Sequence, residues 1–499
     1  MAAPPRSVVI LGGGTAGWMT ANLLHRRWSE HGTTVTLIES KDIGIIGVGE
    51  GSTPQLKAFF DEIGVAETEW MPRCNATYKA GIEFEGWSDR PGFERYFHPF
   101  GTEVDLFTQP KFFFATQARR TGRDIPAHPD SFFLAARIAR EGRAPISPPN
   151  FPFSVSYGYH FDAHLIGAFL RELGTGRGIQ HIDARIASVE LDDIGNVAAL
   201  IADDGRRFEA GFFVDASGFR ATIIEGALGV AHRSFAENLF NDRAVVAPTP
   251  HGTGPIHACT RATAKSAGWI WHIPLTNRIG NGYVYSSRYI DDEDAAAELR
   301  EHLGLTADTE VRHLRMRCGR IDRSWAKNCL AVGLAQGFLE PLEATALHIV
   351  LATVRAFLEA WEKDGSEPFN DKIARRYEGI RDYLVCHYRT AQRRDTEYWR
   401  DATRMDRLSE SLKGLITAWF TGADLRQEVM RQGIAGYYGP MSWHCMLAGY
   451  GNFPDEAMLK PPGPDIPPID MAQVERFVSG CAMNFPSHCD ALDRLGEGA

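Results

Sequence analysis

No two of the eight cysteines stand in a CxxC arrangement. The chain therefore shows no zinc knuckle and no redox pair, and free thiols in a reducing compartment are the simplest reading. No apolar run is long enough to cross a bilayer. The opening MAAPPRSVVILGGG has neither the basic region nor the cleavage site of a secretion signal, and its apolar run passes straight into glycines. A cytoplasmic protein without membrane contact is expected. Positive charge is not in surplus: 53 Lys and Arg face 63 Asp and Glu, a net charge of −10, which argues against a nucleic-acid partner. Internal repeats and low-complexity tracts are also missing. What is present is ordinary for a globular protein, 44% hydrophobic and 23% charged. Its 499 residues allow roughly three domain-sized units, which can share one core.

Residues 7–39 read as strand, glycine turn, helix and strand. Residues 40–125 read as short strands and loops, and 126–160, rich in proline and aromatics, as an excursion. GIQHIDARIASVEL, VAALIADDG and RRFEAGFFVDASGF return to strand character. Residues 244–290 read as sheet and contain GWIWHIPL, where alternation puts Trp269, Trp271 and Ile273 on one face. From Pro341 the spacing of apolar residues is helical, through EATALHIVLATVRAFLEAWEKD and DKIARRYEGIRDYLVCHYRTAQRRDTEYWRDATRM. The last 60 residues read as loop-rich, with KPPGPDIPP as a spacer.

Gly12, Gly14 and Gly17 form G-x-G-x-x-G between a strand and a helix. The first glycine suits a tight turn, the second a close approach to pyrophosphate, and the third close helix–sheet packing, with phosphate charge at the helix N-terminus. Glu39 ends the next strand, 22 residues after Gly17, where a carboxylate would hold ribose hydroxyls. A dinucleotide site follows. Only one fingerprint is present, so NAD and FAD do not each have their own. VDASG, Val214 to Gly218, ends an apolar strand, and CLAVGLAQGFLEPLEATAL runs strand, glycine, loop and helix, with Pro341 at the first helical position. In this order the segments favour FAD, with the helix N-terminus offering free N–H groups to a flavin or an anion.

On these residues the chain resembles the FAD-dependent tryptophan halogenases, over roughly residues 5–455. GGGTAGW (12–18) resembles the family's flavin fingerprint, and GVGEGSTP (47–54) the strap along the isoalloxazine. NATYKAGIEF (75–84), GWIWHIP and FLEPLEATAL (338–347) are similar to its lysine, W-x-W-x-I-P and glutamate segments. The resemblance implies an α/β fold with a doubly wound, Rossmann-like FAD domain of the flavin monooxygenase type, a mixed substrate sheet and a helical C-terminal region. The implied division is a discontinuous core of 1–100 and 160–345, an insertion at 101–159 lining the substrate site, and a substrate-side region at 346–499. It implies FAD contacts at Gly12, Gly14, Thr15, Ala16, Gly17, Glu39, Gly49, Glu50, Ile186, Asp215, Leu334 and Leu347. Lys79 and Glu343 are the implied catalytic pair. Trp269 and Trp271 are implied to keep an organic substrate from the flavin, so that halide is oxidised to hypohalous acid that travels to Lys79. Lys79 can hydrogen-bond that acid or form a haloamine beside one ring carbon. Glu343 can stabilise the cationic ring and take up its proton.

The halide, chloride or bromide, is implied to bind at backbone N–H groups of Thr345-Ala346. Here alanine stands in place of the family's glycine, and Ala344 in place of a common serine; the amide donor survives, with less freedom for positive φ. His98, Phe100, Tyr437, Tyr438 and Trp443 are the implied aromatic pocket. Members specific for free tryptophan carry a carboxylate soon after the Tyr-Tyr pair, whereas GPMSWHCMLAGYGNF has no acid before Asp455. Indole, or a larger indole-bearing compound, is the expected substrate. A separate flavin reductase is the expected electron donor, a homodimer a family-level expectation, and no metal is called for. The competing readings are a flavin-dependent aromatic hydroxylase, which the tryptophan pair argues against, and a non-catalytic flavoprotein, which Lys79 and Glu343 argue against.

Overall fold

The computed structural model describes residues 3–42, 49–363, 365–463 and 468–497. Among the described residues a six-stranded sheet runs Trp325–Ala326, Cys329–Ala331, Phe212–Asp215, Ser7–Leu11, Thr34–Glu39, Gln180–Asp183. Its pairs are parallel except the Trp325–Ala326 edge. The unbroken VVIL run is what a strand covered on both faces needs. Val8 and Ile10 enter one core cluster, Val9 and Leu11 another. The helix Thr15–Trp28 covers the first face with Ala163–Gly176 and Ala346–Glu362. A small antiparallel sheet, Ile186–Leu191, Val197–Ala202 and Arg207–Glu209, supplies the apolar side chains on the second.

A seven-stranded sheet runs Arg312–Arg315, Arg243–Val246, Ile279–Tyr285, Gly268–Pro274, Cys259–Lys265, Gly81–Glu85, Arg95–Pro99. It is mixed, because Cys259–Lys265 and Gly81–Glu85 pair in parallel and the others antiparallel. A three-stranded sheet joins Gly49–Gly51 and Thr77–Lys79 to the two edges of Gly158–Asp162. In it Thr77 lies opposite His160, and Gly51 lies opposite the same histidine. Alternation then gives Thr77, Lys79 and His160 one face and Tyr78 and Tyr159 the other. The C-terminal region is helical, led by Ala346–Glu362 and the long Ser366–Thr390, whose Ile373, Tyr377, Ile380, Leu384 and His387 follow three- and four-residue spacing into the core. No helix among the described residues is long and apolar enough to cross a membrane.

Three local expectations fail. Asp105–Arg120 is a 16-residue helix where short strands and loops were expected; Pro110 lies inside it and reads as a breaker in the sequence. GIQHIDARIASVEL has the expected strand character, as two strands, Gln180–Asp183 and Ile186–Leu191, in different sheets. The last 60 residues carry the helices Pro440–Gly449, Met471–Ala482 and His488–Glu497, so they are not mainly loop. Within KPPGPDIPP, residues 464–467 lie outside the described residues, as do Gly47 and Val48 of the strap. Finally, Pro341 does not open the long helix. Pro341–Glu343 is a single 3-10 turn that ends at Ala344 in the left-handed region, φ +54°, and the helix starts at Ala346. That positive φ closes the first turn and re-aims the chain.

Candidate functional site

The glycine turn is shaped by close contacts. Gly12 has φ +121°, and a Cβ there would come 2.2 Å from the Ala216 carbonyl oxygen. A Cβ on Gly17 would come 2.0 Å from the Gly12 oxygen. Gly14 ends the turn as the N-cap of Thr15–Trp28, with no side-chain cap and no acid in the first turn. The amides of Thr15, Ala16 and Gly17 are therefore left to an external anion. Glu39 folds over Gly13, whose added Cβ would lie 1.7 Å from Oε2, and His181 Nε2 sits 2.9 Å from Glu39 Oε1. Ala184 N–H donates to the Glu39 carbonyl, which brings the start of the Ile186 strand to the same end. Leu334 follows Gly333, which packs against Ala16. Asp215 is turned inward: it accepts from Ser217 N–H, Ser217 Oγ–H, Ile223 N–H and Ile224 N–H. These four bonds shape the turn that follows the strand.

An uncapped helix end, a side-chain-free turn and a carboxylate at the second strand fit the phosphate and ribose ends of FAD. The strap segment Gly49–Gly51 lies against the large sheet, where the Gly49 backbone meets Gly280 closely enough that a Cβ on Gly280 would lie 3.2 Å from Gly49 Cα. Glu50, on the strap, is pushed up to about 7 by burial and by the neighbouring Asp162 charge. Trp269 and Trp271 stand on the central strand Gly268–Pro274, both buried, with ring centroids 6.3 Å apart. Trp269 Nε1–H donates to Glu340 Oε2 at 3.2 Å, and Tyr388 and Asn241 donate to the same oxygen. Trp271 lies over Gly282, where a Cβ would come 2.2 Å from the indole. Thr345 and Ala346 form the N-cap and first residue of Ala346–Glu362, again without a side-chain cap or a first-turn acid. Leu347 follows, buried.

Lys79 ends the strand Thr77–Lys79 and is fully buried. Among the described residues no acceptor reaches its Nζ, which lies 5.5 Å from the centre of the Phe100 ring. Burial lowers the ammonium to about 8, against the pull of Glu343 and Cys259 in the other direction. Glu343 is held from two sides. His98 Nδ1 lies 3.1 Å from both carboxylate oxygens, and His387 Nε2 lies 3.0 Å from Oε1. His387 also meets the Tyr450 hydroxyl through Nδ1 at 2.7 Å and stacks on Phe84. Burial pushes the Glu343 carboxyl up, but the two imidazoles outweigh it and hold the group down at about 2. Glu343 is thus a carboxylate throughout the neutral range.

The aromatic candidates divide. Tyr438 stacks on Tyr383 at 3.5 Å, Trp443 meets Tyr383 edge-on at 4.8 Å, and the His98 ring lies 5.9 Å from Tyr383. Tyr437 turns to Arg376 and Gly379 on Ser366–Thr390. His98 touches Glu343 directly, besides any part in a pocket wall. His387, Tyr383, His160, Thr260 and Glu340 were not singled out from the sequence. A histidine on the apolar face of a long helix, and another in the apolar strand YHFD, were the available signals.

The profile of the tryptophan halogenase family matches residues 7–460. The chain is 36% identical to the tryptophan 6-halogenase SttH of Streptomyces toxytricini, over 95% of this chain and 93% of that one. It is 35% identical to the 7-chloro-L-tryptophan 6-halogenase KtzR of Kutzneria sp. (strain 744), over 98% and 99%. The solved structure of Xcc4156, a flavin-dependent halogenase from Xanthomonas campestris, superposes with a TM-score of 0.82 at 35% identity, covering 98% of each chain. The chain belongs to the tryptophan halogenase family and is a flavin-dependent halogenase.

Proposed function

We propose that this enzyme halogenates an indole-type aromatic with hypohalous acid held by Lys79 while Glu343 supports the ring cation. The observation that carries this reading is the buried Lys79 ammonium, without an acceptor among the described residues, beside a carboxylate kept ionised by two histidines. Gly12, Gly14, Thr15, Ala16, Gly17, Glu39 and the strap at Gly49 and Glu50 would hold FAD, with Ile186, Asp215, Leu334 and Leu347 around it. FAD held there, reduced by a separate flavin reductase, would supply the electrons with which dioxygen turns halide into hypohalous acid.

The buried tryptophan pair keeps an aromatic substrate away from the flavin. Thr345 and Ala346 amides bind chloride or bromide. At neutral pH Lys79, with its value near 8, is mostly an ammonium ion. It donates a hydrogen bond to the oxygen of hypohalous acid and so polarises the O–X bond toward the ring. As the C–X bond forms and O–X breaks, Lys79 protonates the departing oxygen to give water. The Glu343 carboxylate faces the positive charge on the ring and accepts its proton, and return of that proton to Lys79 closes the balance.

His98, Phe100, Tyr438 and Trp443 supply apolar faces for the substrate. The Tyr438 hydroxyl and Trp443 N–H are buried without partners among the described residues. SttH and KtzR are named for tryptophan and 7-chloro-L-tryptophan; here the helix Pro440–Gly449 carries no acid, so indole or a larger indole compound is the proposed substrate. The test is a competition between indole, an indole-bearing peptide and L-tryptophan with a shared reductase. Preference for either of the first two supports the reading, and preference for free L-tryptophan overturns its substrate part.

A further inference from the structure

One face of the small sheet converges on Lys79 in a way the scheme above does not use. His160 is fully buried, and both its ring nitrogens meet hydroxyls: Nδ1 lies 3.0 Å from Thr77 Oγ1, and Nε2 lies 2.9 Å from Thr260 Oγ1. Thr77 Oγ–H donates to the Pro274 carbonyl at 2.7 Å. A hydroxyl has one proton, so Thr77 can only accept from His160, and Nδ1 must carry the ring proton. Nε2 is then bare and accepts the Thr260 proton. The oxygen lone pairs of Thr260 are left as acceptors, with no other protein donor among the described residues.

The place they serve is marked by Gly51. A Cβ added there would lie 3.1 Å from Lys79 Nζ, 3.3 Å from Thr260 Oγ1 and 3.6 Å from the His160 ring. Gly51 does not have a positive φ, so its lack of a side chain is not required by backbone conformation. What it provides is room between an unpartnered donor and an oriented acceptor.

We propose that Lys79 and Thr260 form a two-point site for hypohalous acid, with His160 and Thr77 as positioning residues that fix the direction of the Thr260 hydroxyl. This rests on the role proposed above for Lys79. The ammonium donates to the oxygen of hypohalous acid, and the acid's own O–H donates to Thr260. Two hydrogen bonds at one oxygen leave the halogen as the free end, and the molecule cannot turn its O–H toward the ring. The chain from the Pro274 carbonyl through Thr77, His160 and Thr260 also ties this orientation to the end of the tryptophan strand. Burial and the adjacent Lys79 charge keep His160 neutral, well below its usual value, which the bare Nε2 requires.

The test compares wild type with Thr260→Val, Thr260→Ser and Lys79→Ala. Each is given FAD, a reductase with NADH, bromide, indole and a β-diketone scavenger that traps free hypohalous acid. The ratio of trapped acid to bromoindole is expected to rise about tenfold in Thr260→Val, the cost of one hydrogen bond, and to fall back toward wild type in Thr260→Ser. A wild-type ratio in a Thr260→Val protein with a wild-type melting temperature overturns the proposal. Bromoindole still formed by Lys79→Ala overturns the parent reading instead. A readout without flavin is the ¹⁵N spectrum of the protein, with His160 assigned by His160→Gln. Nδ1 should be protonated and Nε2 bare, and Thr77→Val should shift the ring toward the opposite tautomer. An imidazolium or an Nε2-protonated ring in wild type refutes the orientation argument whether or not Thr260→Val folds.

Discussion

Replacing Lys79 by methionine should make the protein more stable while removing its activity. Methionine is unbranched and similar in size, so it fills the same space without an ammonium to bury. In the folded protein the Lys79 value drops from 10.5 to about 8. The unfolded chain therefore binds this proton more tightly than the folded one, and below pH 8 the wild type carries the whole difference as a destabilisation. At about 1.4 kcal/mol per unit this amounts to roughly 3 kcal/mol. With an unfolding entropy of about 2 cal/mol/K per residue, a chain of 499 residues should melt about 3 °C higher at pH 7 as Lys79→Met. The wild type regains stability as pH rises from about 8 toward 10.5, so the gap should narrow over that window. Melting curves of both proteins at pH 7 and pH 10 test this. A Lys79→Met protein no more stable than wild type at pH 7, or a gap that does not change with pH, would refute the claim that the ammonium is held at a cost.

Removing a Glu343 partner should be visible as a change in pH dependence. In His387→Leu the carboxylate loses a donor while staying buried, so the acid limb of kcat should move up by about one unit or more, and Glu343→Gln should lower kcat about 10²-fold; pH–rate profiles check both. Gly13→Ala drives a Cβ into Glu39, so a fluorescence titration should show FAD bound about tenfold more weakly. Gly282→Ala pushes a Cβ into the Trp271 indole. The displaced indole should appear as altered near-ultraviolet dichroism and, on the proposed shielding role, as less halogenated product per reduced flavin consumed.

The glycine fingerprint, Glu39 and the tryptophan strand were legible because each depends on local rules: a turn, a strand end, an alternation. The long C-terminal helices were legible from their spacing. The helix Asp105–Arg120 was not, since its interior proline outweighs its periodicity when read alone. Nor was the true helix start at Ala346. Pro341 is a good helix opener in isolation, and only the left-handed Ala344 reveals that the first turn is separate. The residues around the proposed catalytic pair were hidden for another reason. Glu343 is held by His98 and His387, which are 245 and 44 residues away in sequence. Thr260 meets His160 across 100 residues. Sheet pairing brings these groups together, and no local spacing announces it.

The most direct test of the central claim is mass spectrometry of a reaction containing the protein, FAD, a flavin reductase, NADH, indole and bromide, run beside Lys79→Ala. The account predicts a product with the paired bromine isotope pattern from wild type and none from the variant. Bromoindole from Lys79→Ala at the wild-type level, or hydroxylated indole without halogen from wild type, would contradict it.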